Sequence, residues 1–239
     1  WATLAPANQV GLMFQVSGST VRSYDLSVLK HDTPEPNFDS IRALLVDEKS
    51  IRKKHNYVTV VLNADTGELL HMEEGKKSSS LNSFFDKLTD EQKSSIEAVG
   101  IDRGGAYKKS VQQNIPEAAI VYDRFHLMMN INKAVDDVRR LEWNSADPSQ
   151  KYYIKSSRYL LLANGYNLDQ KGSERLAQLM QANHSLSKAY LMKEQFRTIY
   201  QYRREGWAKK ALINWCEMAK ESELKPFITL ANGFLREAQ

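Results

Sequence analysis

The sequence predicts an α/β fold in which a mixed sheet of five strands precedes a long helical region. Three observations predict it. Short apolar runs rich in β-branched residues recur between residues 43 and 122 at the length of strands. Segments with helical spacing lie between the later runs. From Leu127 onward the apolar residues recur every three or four positions, and no segment resembles a strand.

The composition is that of a folded domain with a mild excess of positive charge. The chain has 239 residues, of which 42% are hydrophobic and 26% charged, and its net charge is +4. This charge permits a nucleic-acid partner without requiring one. A single cysteine, Cys216, excludes an internal disulfide, and no apolar run reaches the roughly 20 residues of a membrane span. We therefore expect a protein of a reducing compartment, the cytoplasm, without a membrane partner.

The first 30 residues predict two short helices joined by a turn. Residues 8–14 and 19–29 have helical spacing, the second with a serine cap, and residues 15–18 form the turn between them. The small Gly11 allows two helices to pack closely, as in a helix-turn-helix. An ordinary helical hairpin is the alternative. In the helix-turn-helix interpretation, the predicted contacts to the DNA major groove are Ser19, Thr20 and Arg22.

The next segment predicts a linker followed by alternating strands and helices. Pro34 and Pro36 break any helix within residues 31–40. The predicted strands are residues 43–46, 57–62, 68–72, 98–101 and 118–122, with an Asp65-Thr-Gly67 turn making a hairpin of the second and third. The predicted helices are residues 81–96, 107–114 and 130–143. This order is typical of a ribonuclease H-like core.

An aspartate follows three of the predicted strands. Asp47, Asp102 and Asp123 each come directly after an apolar run, where α/β proteins place ligands. In a ribonuclease H-like sheet the first and fourth strands are neighbours, so we expect Asp47 and Asp102 to bind two Mg²⁺ or Mn²⁺ ions together. Each aspartate taken alone is also typical of a turn or a helix cap.

Several nearby residues allow two interpretations. Asp123 can bind the metal, cap the helix that begins near Phe125, or pair with Arg103 or Arg124, and we favour a supporting role. His126 can line the site or pack in the core. Lys76 and Lys77 can contact DNA phosphates or lie in a solvated loop. Glu48 points to the other face of its strand, since side chains alternate there.

Four segments together resemble the DDE transposases of the ISL3 insertion-sequence type. They are residues 45–57, 65–77, 99–107 and 115–126, and the Asp-Arg-Phe-His sequence that ends the last, with residues 134–140 behind it, is the most specific. The resemblance implies a ribonuclease H-like core, residues 41–128, interrupted after its fifth strand by a helical insertion, residues 129–239. It also implies that Asp47 and Asp102 are the first two catalytic residues.

The third catalytic residue of that family is a glutamate in a later segment that this sequence does not match. Asn232 and Gly233 are followed by Glu237, but in an apolar context. The resemblance therefore implies a catalytically incomplete fragment of a bacterial, nucleoid-associated enzyme that acts on double-stranded DNA as a dimer or larger assembly. A non-catalytic DNA-binding protein derived from a transposase is the alternative, and a nuclease for RNA or hybrids is a third.

Overall fold

The computed structural model describes residues 4–32, 35–52, 56–103 and 105–237. The chain divides into two compact units. The N-terminal unit comprises the residues up to 99 together with 106–120, and the helical unit comprises 100–105 together with the residues from 121 onward.

Within the described ranges, five strands form one sheet in the order β3-β2-β1-β4-β5. The strands are Ala43–Arg52 (β1), Asn56–Asn63 (β2), Leu69–Glu74 (β3), Ala98–Ile101 (β4) and Ala119–Tyr122 (β5). β2 pairs antiparallel with both β1 and β3. β5 runs parallel to β4, because the N–H of Ala119 donates to Glu97 and that of Asp123 donates to Ile101. The sheet is therefore mixed, and its first and fourth strands are neighbours, as predicted.

β1 is longer than the sequence indicates. The prediction that the strand ends at Val46 is wrong. β1 continues for six further residues, because five of them pair with β2, and Asp47 lies opposite Val60. Along β1, Leu44 and Val46 are buried whereas Asp47 is exposed. Asp47 thus lies within the strand and not after it.

The predicted hairpin between β2 and β3 is confirmed. Asn63 is buried, and its side-chain oxygen accepts hydrogen bonds from the N–H groups of Asp65 and Thr66 at 2.9 and 3.4 Å. Gly67 has φ +73°, which glycine adopts without steric cost. β3 begins and ends one to two residues later than predicted.

The helices up to β5 are Ala7–Phe14 (α1), Gly18–Asp32 (α2), Ser78–Phe85 (α3), Asp90–Ser94 (α4) and Gly105–Asn114 (α5). The prediction of one helix over residues 81–96 is wrong. Thr89 and Gln92 form a capping box, in which each side chain bonds to the backbone N–H of the other, and this starts a separate helix. α2 extends to Asp32, so the predicted linker begins with helix; Thr33 and Pro34 lie outside the described residues.

α3 provides much of the buried surface of the N-terminal unit. It packs on β2 and β3, and its Leu81, Phe84 and Phe85 are fully buried. Phe84 and Phe85 follow Leu81 by three and four residues, so all three lie on one face of the helix. Burial of this apolar face holds the helix on the sheet.

The remaining helices form the helical unit. They are Arg124–Ser145 (α6), Pro148–Ser156 (α7), Arg158–Leu162 (α8), Gln170–Ala182 (α9), His184–Ile199 (α10), Glu205–Glu221 (α11) and Lys225–Glu237 (α12), with a 3₁₀ turn at Gly165–Asn167. Their core contains a cluster of aromatic rings formed by Phe196, Trp215, Phe227 and Phe234, together with buried aliphatic side chains. No strand occurs among the described residues after β5, as predicted. That this region is an insertion, and where the predicted domains begin and end, stay predictions.

Candidate functional site

Three of the predicted site residues lie together in the helical unit. Asp102 directly follows β4, and Asp123 directly follows β5. His126 lies between them, with Nδ1 3.4 Å from Asp102 Oδ1 and Nε2 3.7 Å from Asp123 Oδ2. When the imidazole is protonated, both distances are those of ion pairs. The ends of the two parallel strands and the first turn of α6 thus form one acidic cluster around a histidine.

Asp123 also acts as the N-cap of α6. Its Oδ1 accepts a hydrogen bond from the N–H of Phe125 at 2.8 Å, which satisfies one of the backbone donors of the first helical turn. Of the interpretations that the sequence allows for Asp123, the helix cap is therefore observed, and a supporting role at a metal site stays a prediction. The cap fixes the start of α6, and with it the position of His126.

Arg103 connects the loop after Asp102 to the last helix. Its backbone N–H donates to Asp102 Oδ1 at 2.5 Å, and its Nε donates to Glu237 Oε2 at 2.6 Å. Its guanidinium also lies 4.4 Å from the centre of the Phe234 ring. A Cβ atom on Gly233 would collide with the end of this guanidinium, so a larger residue there would displace the Arg103 side chain. Sequence reasoning missed this anchor, since it joins segments 134 residues apart.

The negative charge of Glu237 also affects the pKa of Tyr122. Burial raises the pKa of the Tyr122 hydroxyl, and the negative charge of Glu237 raises it further while Arg103 opposes it. Tyr122 therefore stays neutral near pH 7 and does not act as a base there.

Asp47, the other predicted catalytic residue, lies in the N-terminal unit. Its side chain is exposed, and Oδ1 accepts a hydrogen bond from the N–H of Glu48 at 2.8 Å. Glu48 is half-buried. The joint role of Asp47 and Asp102 stays a prediction.

The donor atoms of these aspartates fit a hard divalent cation in type. Carboxylate oxygens are the ligands that Mg²⁺ prefers, and Mg²⁺ is often held by one or two carboxylates together with water and substrate phosphates. Among the described residues, no three or more histidine, cysteine, aspartate or glutamate side chains are grouped to hold a metal ion. The described residues therefore offer carboxylate oxygens without a complete set of protein ligands.

The two N-terminal helices meet at a tight turn. A Cβ atom on Gly11 would lie 2.5 Å from the carbonyl oxygen of Val16, so the close approach requires glycine. Gln15 ends α1 in the left-handed conformation, with φ 55°. Ser17 caps α2, since its Oγ accepts from the N–H of Thr20 at 3.1 Å. α2 thus begins one residue before the predicted start, and the cap is Ser17.

The residues predicted to contact DNA are mostly exposed. Ser19 and Arg22 are exposed on α2, and Thr20 is half-buried. The hydroxyls of Ser19 and Thr20 each lie 2.7 Å from Ser17 Oγ. α2 has no buried side chain. Its polar N-terminal turn is therefore accessible to a ligand.

Lys76 and Lys77 are exposed before α3. The Nζ of Lys76 lies 4.0 Å from the centre of the Tyr57 ring, and Lys77 is the N-cap residue of α3. Both positions suit either of the two interpretations, so a contact to DNA stays a prediction.

Comparisons with known proteins agree on one family. A family model of the ISL3 DDE type, described as Transposase, matches residues 44–239. The transposase for insertion sequence element IS1001 of Bordetella parapertussis is 33% identical over 225 residues, which are 93% of this chain and 55% of that protein. The transposase for insertion sequence element IS1557 of Mycobacterium tuberculosis is 29% identical over 217 residues, covering 81% of this chain and 49% of that protein.

The chain spans about half the length of the curated relatives it matches. Within the parts of the chain that the structure describes, no helix has both the length and the apolar character needed to cross a membrane.

Proposed function

The chain belongs to the ISL3 type of DDE transposases, and we propose that it forms part of an insertion-sequence transposase that cuts DNA at the ends of its element and joins them to a target. The observation that carries this proposal is the cluster of Asp102, His126 and Asp123 at the ends of two parallel strands. Such strand ends are where α/β proteins place ligands.

In this proposal Asp47 and Asp102 are the catalytic aspartates and provide oxygen ligands for two Mg²⁺ or Mn²⁺ ions. Such ions, when bound, stabilise the charge that develops on the attacking and leaving oxygens of a phosphodiester. The strand order, in which β1 is the neighbour of β4, supports this assignment. The protein then needs no serine or cysteine nucleophile.

His126 and Asp123 have supporting roles. His126 contacts Asp102 Oδ1 from one side, while the backbone N–H of Arg103 donates to the same oxygen. These two contacts restrict the rotation of the carboxylate. Asp123 holds the first turn of α6 and so the imidazole.

We propose that the third catalytic glutamate is not among these 239 residues. Glu237 is the candidate for this glutamate, because it follows an Asn-Gly pair. Its Oε2, however, accepts a hydrogen bond from Arg103 Nε at 2.6 Å. A carboxylate in so short an ion pair would have to give up its arginine partner to bind a metal ion, so Glu237 is not assigned as a metal ligand. The chain alone is then expected to bind DNA and metal but not to complete strand transfer.

The proposed partner is double-stranded DNA, both the terminal repeats of the element and the target. Ser19, Thr20 and Arg22 would contact the major groove from α2, and Lys76 and Lys77 the phosphates. The protein would act as a homodimer or larger assembly, since two element ends must be brought together, and in the bacterial cytoplasm where the nucleoid lies.

The metal site is tested by titrating the protein with Mn²⁺ in a calorimeter. We expect binding that is lost in Asp47→Ala and in Asp102→Ala, because each removes a ligand. Asp65→Ala, which removes a carboxylate from the β2–β3 turn, is the matched control and should bind as the unmodified chain does. Equal Mn²⁺ affinity in all four proteins would contradict the assignment of the two aspartates.

A strand-transfer assay with Mg²⁺ and DNA carrying the terminal repeats tests the catalytic part. The chain alone should give no robust cleavage, and robust cleavage would contradict the proposal on the third glutamate. The non-catalytic alternative predicts a different result, which is salt-dependent binding to duplex DNA that no divalent metal changes.

A further inference from the structure

A buried carboxylate in the helical unit is surrounded by three arginines. Asp136 lies on α6 with 7% of its surface exposed. Its Oδ1 accepts from Nε and Nη2 of Arg139 at 2.8 and 2.7 Å, and its Oδ2 accepts from Nε of Arg140 at 3.0 Å. The Nε of Arg158, on α8, lies 3.5 Å from Oδ1. One anion thus holds three guanidinium groups in place.

The three arginines differ in exposure. Arg139 is 9% exposed and supplies the positive charge that a buried carboxylate requires. The side chains of Arg140 and Arg158 are 65% and 48% exposed, and both contact Asp136 through Nε. Their terminal nitrogens are therefore available to a second anion. Because three cations share one anion, the cluster keeps an excess of positive charge at the surface.

Exposed aromatic rings lie beside these cations. Tyr159 is 79% exposed, and the guanidinium of Arg158 lies 5.7 Å from its ring. The Nζ of Lys151, on α7, lies 5.0 Å from the ring of Trp143 at the end of α6. α7 and α8 both pack on α6. We refer to Arg140, Trp143, Lys151, Arg158 and Tyr159 as the α6–α8 surface.

Cations and aromatic rings have complementary uses on nucleic acid. A guanidinium can bind a phosphate through two parallel hydrogen bonds, which favours arginine at such sites. Exposed aromatic rings stack on unpaired bases of any sequence, as in proteins that bind single strands. A membrane surface or an acidic protein would use the charges but offers no bases for the rings.

We propose that the α6–α8 surface is a second DNA-binding site, in which Arg140 and Arg158 bind backbone phosphates and Trp143 and Tyr159 stack on unpaired bases. Asp136 is the positioning residue, since it fixes both guanidinium groups without touching the DNA. The proposal relies on the proposed function in one respect, that DNA is the substrate. It requires neither the metal site nor the contacts of α2.

Binding of a fluorescent single-stranded oligonucleotide, measured by anisotropy over a range of salt concentrations, tests the phosphate contacts. Arg140→Gln with Arg158→Gln should weaken binding about tenfold and lower the slope of log affinity against log salt by about 1.4, or about 0.7 for each phosphate that is no longer neutralised. The control is Lys171→Gln with Arg175→Gln, which removes the same charge from exposed positions of α9 and should change the affinity less than twofold.

Two further measurements separate a direct contact from a structural effect. Tyr159→Ser should weaken binding without changing the salt slope, because stacking displaces no counterions. An oligonucleotide with iododeoxyuridine should crosslink on irradiation to peptides containing Trp143 or Tyr159. If the glutamine variants lose their helical circular dichroism, Arg140→Lys with Arg158→Lys is measured instead, and it should retain the slope while the affinity falls.

Unchanged affinity and slope in the double variant would overturn the proposal. Crosslinks confined to peptides outside α6–α8 would also overturn it. So would a loss of binding to anionic lipid vesicles equal to the loss of oligonucleotide binding, because the surface would then be a general site for polyanions. Failure of strand transfer or of Mn²⁺ binding would bear on the catalytic proposal alone, since none of these measurements depends on metal.

Discussion

Among the residues that the structure describes, the buried polar side chains of the two units differ in charge. In the N-terminal unit they are Thr59, Asn63, His71, Ser80 and Ser110, all of them groups that can be neutral. In the helical unit they are Asp136, Arg139, Ser157 and Lys193, and three of these four carry a charge. The two units therefore satisfy their buried polar groups in different ways.

The neutral groups of the N-terminal unit bond to the backbone and to neighbouring side chains. Thr59 Oγ1 donates to the carbonyl of Gly75 at 2.9 Å and lies 2.8 Å from the hydroxyl of Tyr107. Lys87 Nζ can only donate, and it lies 3.2 Å from His71 Nδ1, so Nδ1 accepts this hydrogen bond. The ring proton is then on Nε2, which donates to Ser83 Oγ. His71 is therefore the neutral tautomer protonated at Nε2.

Two of the charged groups of the helical unit, Asp136 and Lys193, are each compensated by several partners. Lys193 is 1% exposed, and its ammonium group donates to the carbonyls of Leu161 and Ala163 at 2.8 and 2.5 Å and contacts Glu194 at 3.0 Å. Removing one partner from a buried charge costs more than removing one neutral hydrogen bond. The helical unit should therefore be the more sensitive of the two to single substitutions.

The largest expected effect is that of Asp136→Ala. It leaves Arg139 buried without a counter-charge, which should lower the free energy of unfolding by about 3–5 kcal/mol. Urea unfolding followed by tryptophan fluorescence measures it. Asp137→Ala, at the half-exposed neighbouring position, is the control and should cost less than about 0.5 kcal/mol. If both variants lowered the free energy of unfolding by a similar amount, the buried charges of the helical unit would not make it more sensitive to substitution.

Lys193→Met should have the next largest effect. Burial lowers the pKa of the Lys193 ammonium, although the hydrogen bond and charge of Glu194 oppose this. Methionine keeps the apolar stem but leaves the carbonyls of Leu161 and Ala163 without their donor, which should cost about 1–3 kcal/mol. Thermal and urea unfolding measure it, with the exposed Lys188→Met on α10 as the control. A variant as stable as the unmodified chain would show that these carbonyls do not need the ammonium group.

Thr59→Val should cost about 1 kcal/mol, because a neutral hydrogen bond has a smaller net value. A double-mutant cycle with Tyr107→Phe isolates the contact between the two hydroxyls. We expect a coupling energy of about 0.5–1 kcal/mol from equilibrium unfolding. A coupling energy as large as the effect of Asp136→Ala would contradict the expectation that the helical unit is the more sensitive of the two to substitution.

The smallest expected effect is a pH dependence of the N-terminal unit through His71. Burial lowers the pKa of His71, and the positive charge of Lys87 lowers it further while Glu73 opposes it. The unfolded chain therefore takes up this proton before the folded protein does. Stability that is present above the unfolded pKa of about 6.5 is lost as the pH falls through the lower, folded value.

His71→Gln should reduce this loss, since glutamine does not titrate. Hydrogen exchange of the amides of β3 at pH 7 and pH 5 measures the local effect, and Lys193 variants should not alter it. A pH dependence of β3 that is the same with and without the histidine would show that other groups cause it.

The sequence by itself determined most of the local structure. Apolar periodicity, turn residues and β-branched runs predicted the hairpin, β4, the helices on either side of β5 and the absence of strands after it, because each depends on residues close in the chain. The capping box at Thr89 is also a local signal, but apolar spacing alone does not reveal it. The resemblance to the ISL3 transposases rested on the order of such short segments, and the family match confirms it.

The tertiary structure decided the contacts between distant segments. β1 continues past Asp47 because β2 pairs with it, and no pattern within β1 specifies that length. The anchor of Arg103 on Glu237 and the contact of His126 with Asp102 arise when α12 and α6 pack in the helical unit. The burial of Asp136 among three arginines has the same origin. Side-chain spacing encodes which face of a helix is buried, whereas the partner that covers that face is fixed only when the helices pack together.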